Sequence, residues 1–252
     1  MERVSQRFDT ATQTEAALSA AVAAVEAGEC IVLPTDTVYG IGADAFSSTA
    51  VQGLLDAKQR GRDMPPPVLL SDAAVLESLA ANIDPRVWLL AEAFWPGPLT
   101  LIVAVQPSLQ LDLGENGATI GVRVPDHEVT RELLRRTGPL AVSSANISAH
   151  PAAQSIEEAI EQLGESVSVY LDAGPSGGPV PSTILDMTGT PAVLREGRLT
   201  TADLEEAVPG LFPPPATPGG PDINLTESDL PGPHILSSEP AEAPEPPSTD
   251  AR

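Results

Sequence analysis

The sequence is short of several residue types, and each shortage excludes a class of protein. Cys30 is the only cysteine, which excludes an intrachain disulfide framework and a metal site built from cysteines. Aromatic residues make up 3% of the 252 residues, so a core must consist mostly of Ala, Val, Leu and Ile. The longest unbroken apolar run, residues 20–25, is far below the roughly 20 residues of a membrane span. Because the amino terminus also lacks the basic-then-apolar order of a signal peptide, we expect a soluble cytoplasmic protein without a membrane segment.

Basic side chains are scarce as well. The chain has 13 Lys and Arg against 35 Asp and Glu, which gives a net charge of −22, and Lys58 is its only lysine. Nonspecific nucleic-acid binding needs a basic surface, so we expect no tight binding to nucleic acid.

The composition changes after Phe212. Residues 213–252 contain 11 of the 27 prolines, seven acidic residues and one basic residue, with no Phe, Trp or Tyr. Such a segment cannot bury enough apolar surface to offset its loss of chain entropy. The sequence therefore predicts a folded domain over residues 1–212, followed by a disordered, acidic, proline-rich tail over residues 213–252.

Short apolar runs alternate with stretches of helical periodicity along residues 1–212. The predicted strands are 30–33, 68–70, 99–105, 119–124, 140–143, 167–171, 183–187 and 192–194. The predicted helices are 11–27, 49–58, 73–81, 86–94, 128–136, 155–163 and 203–208. This irregular mixture indicates an α+β (mixed α/β) domain, with a twisted, largely mixed sheet of about seven or eight strands flanked by helices.

Two polar motifs each follow a predicted strand. PTDTVYGIG at 34–42 is predicted to form a turn whose hydroxyls, carboxylate and backbone N–H groups can hold an anion or a small polar ligand. SSANIS at 143–148 combines small side chains with hydroxyl and amide groups that can orient phosphate oxygens or metal-bound water. An ordinary connection remains an alternative for both, because such residues are common in turns.

A cluster of cations ends the second predicted helix. Lys58, Arg60 and Arg62 lie within five residues of an otherwise acidic chain. Ammonium and guanidinium groups are suited to phosphate oxygens. The alternative is that these charges only complement the dipole at the helix carboxyl end.

Further polar residues lie near strand ends. Thr119 and Arg123 are four apart, so on a strand they share one face with Gly121, while the opposite face enters the core. We expect both to line a cleft, where a partly buried arginine needs an anionic partner. The alternative is that such an arginine forms a salt bridge with a carboxylate of the chain. For Arg198, another arginine near a strand end, we favour the salt bridge. The remaining candidates are Ser182, Thr183 and Arg195.

Six ordered motifs, within residues 15–208, resemble the YrdC-like family of threonylcarbamoyl-adenylate synthases. They are PTDTVYGIG at 34–42, KQR at 58–60, FWPGPLTLIV at 94–103, TIGVRVPDH at 119–127, SSANIS at 143–148 and STILD at 182–186. Two positions depart from the pattern. Leu69 stands where many members have a histidine, and Met64 stands where many have Lys or Asn.

The resemblance implies a concave groove lined by basic side chains in a catalytic domain over residues 1–212. It implies synthesis of threonylcarbamoyl-AMP and pyrophosphate from L-threonine, bicarbonate or CO2, and ATP. A downstream transferase complex would then modify adenosine 37 of tRNAs that read codons starting with A.

The resemblance also assigns residues to roles. Catalytic roles fall to Lys58, Arg60, Ser144 and Asn146, which also bind ATP together with Thr119 and Arg195. The threonine site is formed by Thr37, Arg123 and Ser182. Magnesium is expected through the ATP phosphates, with no protein ligand.

Two rival interpretations make different predictions. A non-catalytic, YrdC-type RNA-binding or ribosome-associated factor predicts a basic stripe with aromatic residues, which the composition disfavours. Hydrogenase-maturation proteins with a related domain carry zinc-finger and acylphosphatase segments, and neither is found in this sequence.

Overall fold

A computed structural model describes residues 5–115 and 117–213. Apart from Pro213, the tail predicted at 213–252 lies outside the described residues, so its disorder stays a prediction. None of the helices in the described part of the chain has the length and apolar character that crossing a bilayer requires.

Ten strands and seven α-helices are found in the described residues. The strands are β1 (Gln6–Asp9), β2 (Ile31–Leu33), β3 (Gly40–Asp44), β4 (Val68–Leu69), β5 (Leu99–Ala104), β6 (Thr119–Arg123), β7 (Leu140–Ser144), β8 (Val169–Asp172), β9 (Thr183–Asp186) and β10 (Ala192–Arg195). The helices are α1 (Thr14–Glu26), α2 (Ser48–Ala57), α3 (Leu76–Leu79), α4 (Pro85–Phe94), α5 (Glu128–Thr137), α6 (Ile156–Leu163) and α7 (Thr201–Ala207).

All ten strands form one sheet in the order β1-β8-β2-β3-β7-β4-β6-β5-β9-β10. β4 runs parallel to β6 but antiparallel to β7, and β5 runs antiparallel to β6 but parallel to β9. The sheet is therefore mixed, which confirms the predicted fold class.

The predicted strand count was too low because two strands lack an apolar pattern. β1 is a four-residue edge strand with the sequence QRFD, and three of its residues are exposed. β3 begins inside the motif that was interpreted as a turn over residues 34–42. Glycine is depleted in strands, and two of the five residues of β3 are glycine.

The glycines of β3 allow close packing between neighbouring strands. A Cβ atom added at Gly40 would lie 2.6 Å from Cγ1 of Val142 on β7, and one added at Gly42 would lie 3.1 Å from Leu33 on β2. The strand is thus held by its neighbours' side chains, and only the preceding residues form the turn.

Gly40→Ala is expected to destabilise the fold by about 1–3 kcal/mol, because the stiff side chain of Val142 must move to admit a methyl group. Gly189→Ala is the matched control, since its added Cβ would meet nothing within 4 Å. Urea unfolding should place that control within about 0.5 kcal/mol of wild type. Equal stability of the two variants would contradict this account of β3.

The sheet has a hydrophobic core on each face. One core contains residues of α1 and α5, and the other contains residues of α2, α4, α6 and α7. Alternation along β6 sends Ile120 and Val122 into the second core, as predicted. The opposite face of the sheet holds α1 and α5 and, beyond them, a groove.

Candidate active site

A cavity of about 290 Å³ lies on the face of the sheet that carries α1 and α5, since Leu69 and Val142 of that core line it. Residues of β3, β4, β5, β6, β7, β9 and β10 line it, together with the loops that adjoin them. Seven of the nine predicted site residues line it: Thr37, Arg60, Arg123, Ser144, Asn146, Ser182 and Arg195.

The turn between β2 and β3 forms one wall. The Thr35 hydroxyl donates to the carbonyl oxygen of Val38 at 2.6 Å and accepts the backbone N–H of Thr37 at 3.1 Å. These local bonds fix the turn and hold both threonine hydroxyls 3.1 Å apart at the cavity.

Arg123 is buried at the carboxyl end of β6. Its Nη2 donates to Oδ1 of Asp36 at 2.6 Å, its Nη1 to the hydroxyl of Thr37 at 3.1 Å, and its Nε to the carbonyl oxygen of Gly97 at 2.9 Å. Burial lowers the pKa of Arg123, and Asp36 opposes that shift. These bonds use three of the five guanidinium N–H groups, so two are left for a ligand.

Lys58 lies buried behind the loop that follows β7. The residue is 1% exposed and is not among the residues that line the cavity. Its Nζ donates to the carbonyl oxygens of Ser144 at 2.5 Å and Asn146 at 2.8 Å, and lies 3.4 Å from Oδ1 of Asn146. Burial lowers the pKa of Lys58 to about 8, and Arg60 lowers it too. The ammonium thus supports the loop after β7 from behind, and its predicted ATP contact stays a prediction.

Arg60 and Arg195 make one end of the cavity positive. Nη1 of Arg60 donates to the hydroxyl of Ser143 at 2.8 Å, and its buried Nε has no hydrogen-bond partner among the described residues. Burial lowers the pKa of both arginines; at Arg60 the carboxylate of Asp63 opposes the shift and Arg195 adds to it. Within residues 5–115 and 117–213, neither guanidinium forms a salt bridge. An anion bound here would offset both the lost hydration of the two guanidinium groups and the repulsion between them.

Ser182 connects the positive end to the centre of the cavity. Its carbonyl oxygen accepts from Nε and Nη2 of Arg195 at 3.1 and 2.8 Å, and its hydroxyl lies 3.2 Å from the same Nη2. The hydroxyl of Thr100, on β5, is 3.0 Å from that of Ser182. One network therefore orients Ser182 and Arg195 together.

Asn146 stabilises the loop after β7 as well as lining the cavity. Its Nδ2 donates to the carbonyl oxygens of Ile147 and His150, both at 2.8 Å. With Lys58 bound on the other side, the SSANIS motif is a rigid wall.

Thr119 is not among the residues that line the cavity. It lies opposite Ala104 at the first residue of β6, whereas Arg123 is the last. Four residues of strand separate them by about 13 Å. Sharing a face was therefore not enough to share the cavity, and the ATP contact of Thr119 stays a prediction.

Several cavity residues were not predicted as functional. Thr100 is buried within the strand sequence LTLIVA. A single hydroxyl in an otherwise apolar strand is the one sequence feature that could have pointed to it. Tyr39 is fully buried and its phenol bonds the loop after β8. His150 and Leu69 also line the cavity. The described residues contain no group of three His, Cys, Asp or Glu that could hold a metal ion.

Comparisons with known proteins agree with this architecture. The profile of the Sua5/YciO/YrdC proteins, described as "Telomere recombination", matches residues 23–197. A Mycobacterium tuberculosis protein provisionally named a threonylcarbamoyl-AMP synthase is 50% identical over 208 residues, which cover 81% of this chain and 96% of that protein. The Bacillus subtilis threonylcarbamoyl-AMP synthase is 33% identical over 203 residues, covering 79% of this chain and 59% of that protein.

A solved structure has the same fold. The crystal structure of Pyrococcus abyssi Sua5 complexed with L-threonine superposes with a TM-score of 0.74 at 30% identity. The match covers 83% of this chain and 61% of that one.

Proposed function

The chain belongs to the Sua5/YciO/YrdC family, and we propose that it synthesises L-threonylcarbamoyl-AMP and pyrophosphate from L-threonine, bicarbonate or CO2, and ATP. The product would supply the threonylcarbamoyl group that a transferase complex attaches to adenosine 37 of tRNAs reading codons that start with A. We expect this chemistry in the cytoplasm.

The observation that carries the proposal is the pair of guanidinium groups at one end of the cavity. Arg60 and Arg195 both line the cavity, and within the described residues neither forms a salt bridge, although the nearby carboxylate of Asp63 raises the pKa of Arg60 more than Arg195 lowers it. Arg60 is half-buried and Arg195 is exposed, and two partly desolvated cations near each other favour binding of an anion with several charges. The triphosphate of ATP has that charge, and Ser143, Ser144 and Asn146 supply neutral polar groups beside it.

The other end of the cavity suits an amino acid. Arg123 has two guanidinium N–H groups left for a carboxylate, and the hydroxyls of Thr37 and Ser182 lie within the same cavity. That P. abyssi Sua5 was crystallised with L-threonine supports threonine as the amino acid here.

Magnesium fits the phosphate end. Mg²⁺ binds oxygen ligands and commonly relies on substrate phosphates instead of an all-protein cage. The cavity presents serine and asparagine side chains there. We therefore propose that Mg²⁺ enters with ATP and needs no protein carboxylate.

The proposed reaction asks little covalent chemistry of the protein. The threonine amine adds to CO2 and loses a proton, which gives a carbamate. A carbamate oxygen then attacks the α-phosphorus of ATP, and pyrophosphate leaves. The groove has to bring the reactants together, stabilise phosphate charge and exclude water. Arginine, serine, threonine and asparagine side chains suffice for those tasks, without a nucleophile.

Purified protein is expected to release pyrophosphate only when L-threonine, bicarbonate, ATP and magnesium are all present. The expectation follows from the two ends of the cavity, because neither substrate alone completes the reacting centre. A coupled pyrophosphate assay with one component omitted at a time measures this, and mass spectrometry identifies threonylcarbamoyl-AMP.

Arg60→Ala should lose most of this pyrophosphate release. Arg62→Ala is the control and should keep it, because Arg62 contacts Gln52 and Asp112 on the outer surface. Pyrophosphate release that does not depend on threonine would overturn the proposal. So would tight RNA binding without turnover, which the rival RNA-binding interpretation predicts.

A further inference from the structure

Arg198 is an exposed arginine that does not line the cavity but contacts the turn before β3. Its expected carboxylate partner is not found among the described residues. Instead Nη1 donates to the backbone carbonyl oxygen of Asp36 at 2.8 Å, and Nη2 donates to that of Gly177. One guanidinium thus joins two segments 141 residues apart in sequence.

The two segments carry different parts of the site. Asp36 belongs to the turn that presents Thr37, and its carboxylate holds Arg123. Gly177 belongs to the loop after β8, residues 173–181, which leads directly to Ser182. Asp36 is therefore held by arginines at two points, its carboxylate by Arg123 and its carbonyl oxygen by Arg198.

The loop approaches the turn so closely that only glycine fits at position 177. A Cβ atom added there would collide with the carbonyl oxygen of Asp36 and lie 3.1 Å from Nη2 of Arg198. Elsewhere the loop is attached by a few hydrogen bonds. The N–H of Ala173 donates to the Tyr39 hydroxyl at 3.0 Å, and the N–H of Arg198 donates to the carbonyl oxygen of Pro181 at 3.0 Å. Tyr39 donates its hydroxyl to the carbonyl oxygen of Gly174 at 2.5 Å, and the N–H of Ser176 donates to the carbonyl oxygen of Gln154 at 2.8 Å.

We propose that Arg198 is a positioning residue for the amino-acid end of the cavity. It fastens the loop over residues 173–181 to the turn at Asp36, and so fixes Ser182 and the Arg123–Asp36 pair relative to each other. The inference rests on the proposed function, because it takes that end as the threonine site. It assigns no contact between Arg198 and substrate.

Arg198→Ala is expected to raise the KM for threonine by about threefold to thirtyfold, the equivalent of one or two net hydrogen bonds. The KM for ATP should stay within about twofold, since Arg60 and Ser143 lie at the other end. Arg198→Lys should recover only part of the loss, because one ammonium on a flexible stem does not reproduce a planar fork bound to two carbonyl oxygens. Arg135→Ala, an exposed arginine paired with Glu128 and Glu132, is the control.

Hydrogen–deuterium exchange gives a readout that does not depend on turnover. Amides of residues 173–181 should exchange about threefold to thirtyfold faster in Arg198→Ala than in wild type, with other segments unchanged. If wild type shows no threonine-dependent activity, the proposed function has failed, and the exchange rates still decide whether Arg198 fastens the loop.

Three results would overturn the inference: unchanged exchange, a threonine KM within twofold of wild type in a protein that does turn over threonine, or full recovery by Arg198→Lys. The last would mean that Arg198 acts only through its charge.

Discussion

Lys58→Ala is expected to lose about 2–4 kcal/mol of folding stability and nearly all turnover. The side chain is 1% exposed, and its Nζ donates to the carbonyl oxygens of Ser144 and Asn146. Removing the ammonium takes one donor from each acceptor, although the carbonyl oxygen of Ser144 keeps the N–H of Asn146 at 2.9 Å. A buried unsatisfied group costs roughly 1–3 kcal/mol, and the truncated side chain leaves a cavity as well. The loop that lines the phosphate end of the cavity loses its support at the same time.

Two further substitutions at this position separate shape from charge. Lys58→Met keeps the length and the apolar stem but no donor, so it should be nearly as destabilising as alanine. Lys58→Arg keeps a charge, but its larger guanidinium must fit a fully enclosed site, so we expect less than full recovery of both stability and turnover.

Arg62→Ala provides the control from the same cation cluster. Arg62 is 39% exposed at its side chain and pairs with Asp112, so its loss should cost no more than about 1 kcal/mol. Urea unfolding and pyrophosphate release measure both quantities. If Lys58 only complemented the dipole at the helix carboxyl end, Lys58→Ala would lose about 0.3–1 kcal/mol of stability and keep its turnover. Lys58→Arg would then change neither stability nor turnover. That pattern would refute the supporting role.

The types of residue in the site were predictable, but their partners were not. Lys58 and Arg60 stood out because they are cations in an acidic chain. Their contacts, Asn146 and Ser143, are more than 80 residues away in sequence. They meet because β7 pairs with β3 in the middle of the sheet, and strand order is not encoded in any local pattern.

Two local errors have physical causes. β3 contains Gly40 and Gly42, which lack apolar side chains, so the strand depends on packing by Leu33 and Val142. Thr119 was placed with Arg123 because strand periodicity tells which face a side chain takes. Periodicity does not tell which end of the strand lies at the cavity. Asp36 lay in a recognised motif, but its pairing with Arg123 depends on the position of β6 across the sheet.

Arg123→Ala is expected to raise the KM for threonine by roughly tenfold to more than a hundredfold, the cost of a lost charge-assisted hydrogen bond. The KM for ATP should change by less than about threefold. The same variant should also lose about 2–4 kcal/mol of stability, because it leaves the largely buried carboxylate of Asp36 without its cation. Kinetics with each substrate varied in turn, together with urea unfolding, measure both effects.

A double variant separates binding from folding. In Arg123→Ala combined with Asp36→Asn, no unpaired carboxylate is left, so part of the stability should return. The guanidinium is still missing, so threonine affinity should not return. If Arg123 serves only to neutralise Asp36, the double variant will instead recover threonine affinity along with stability. Equal increases in the two KM values of Arg123→Ala would likewise contradict a carboxylate site at Arg123, because a general distortion of the cavity does not distinguish the two substrates.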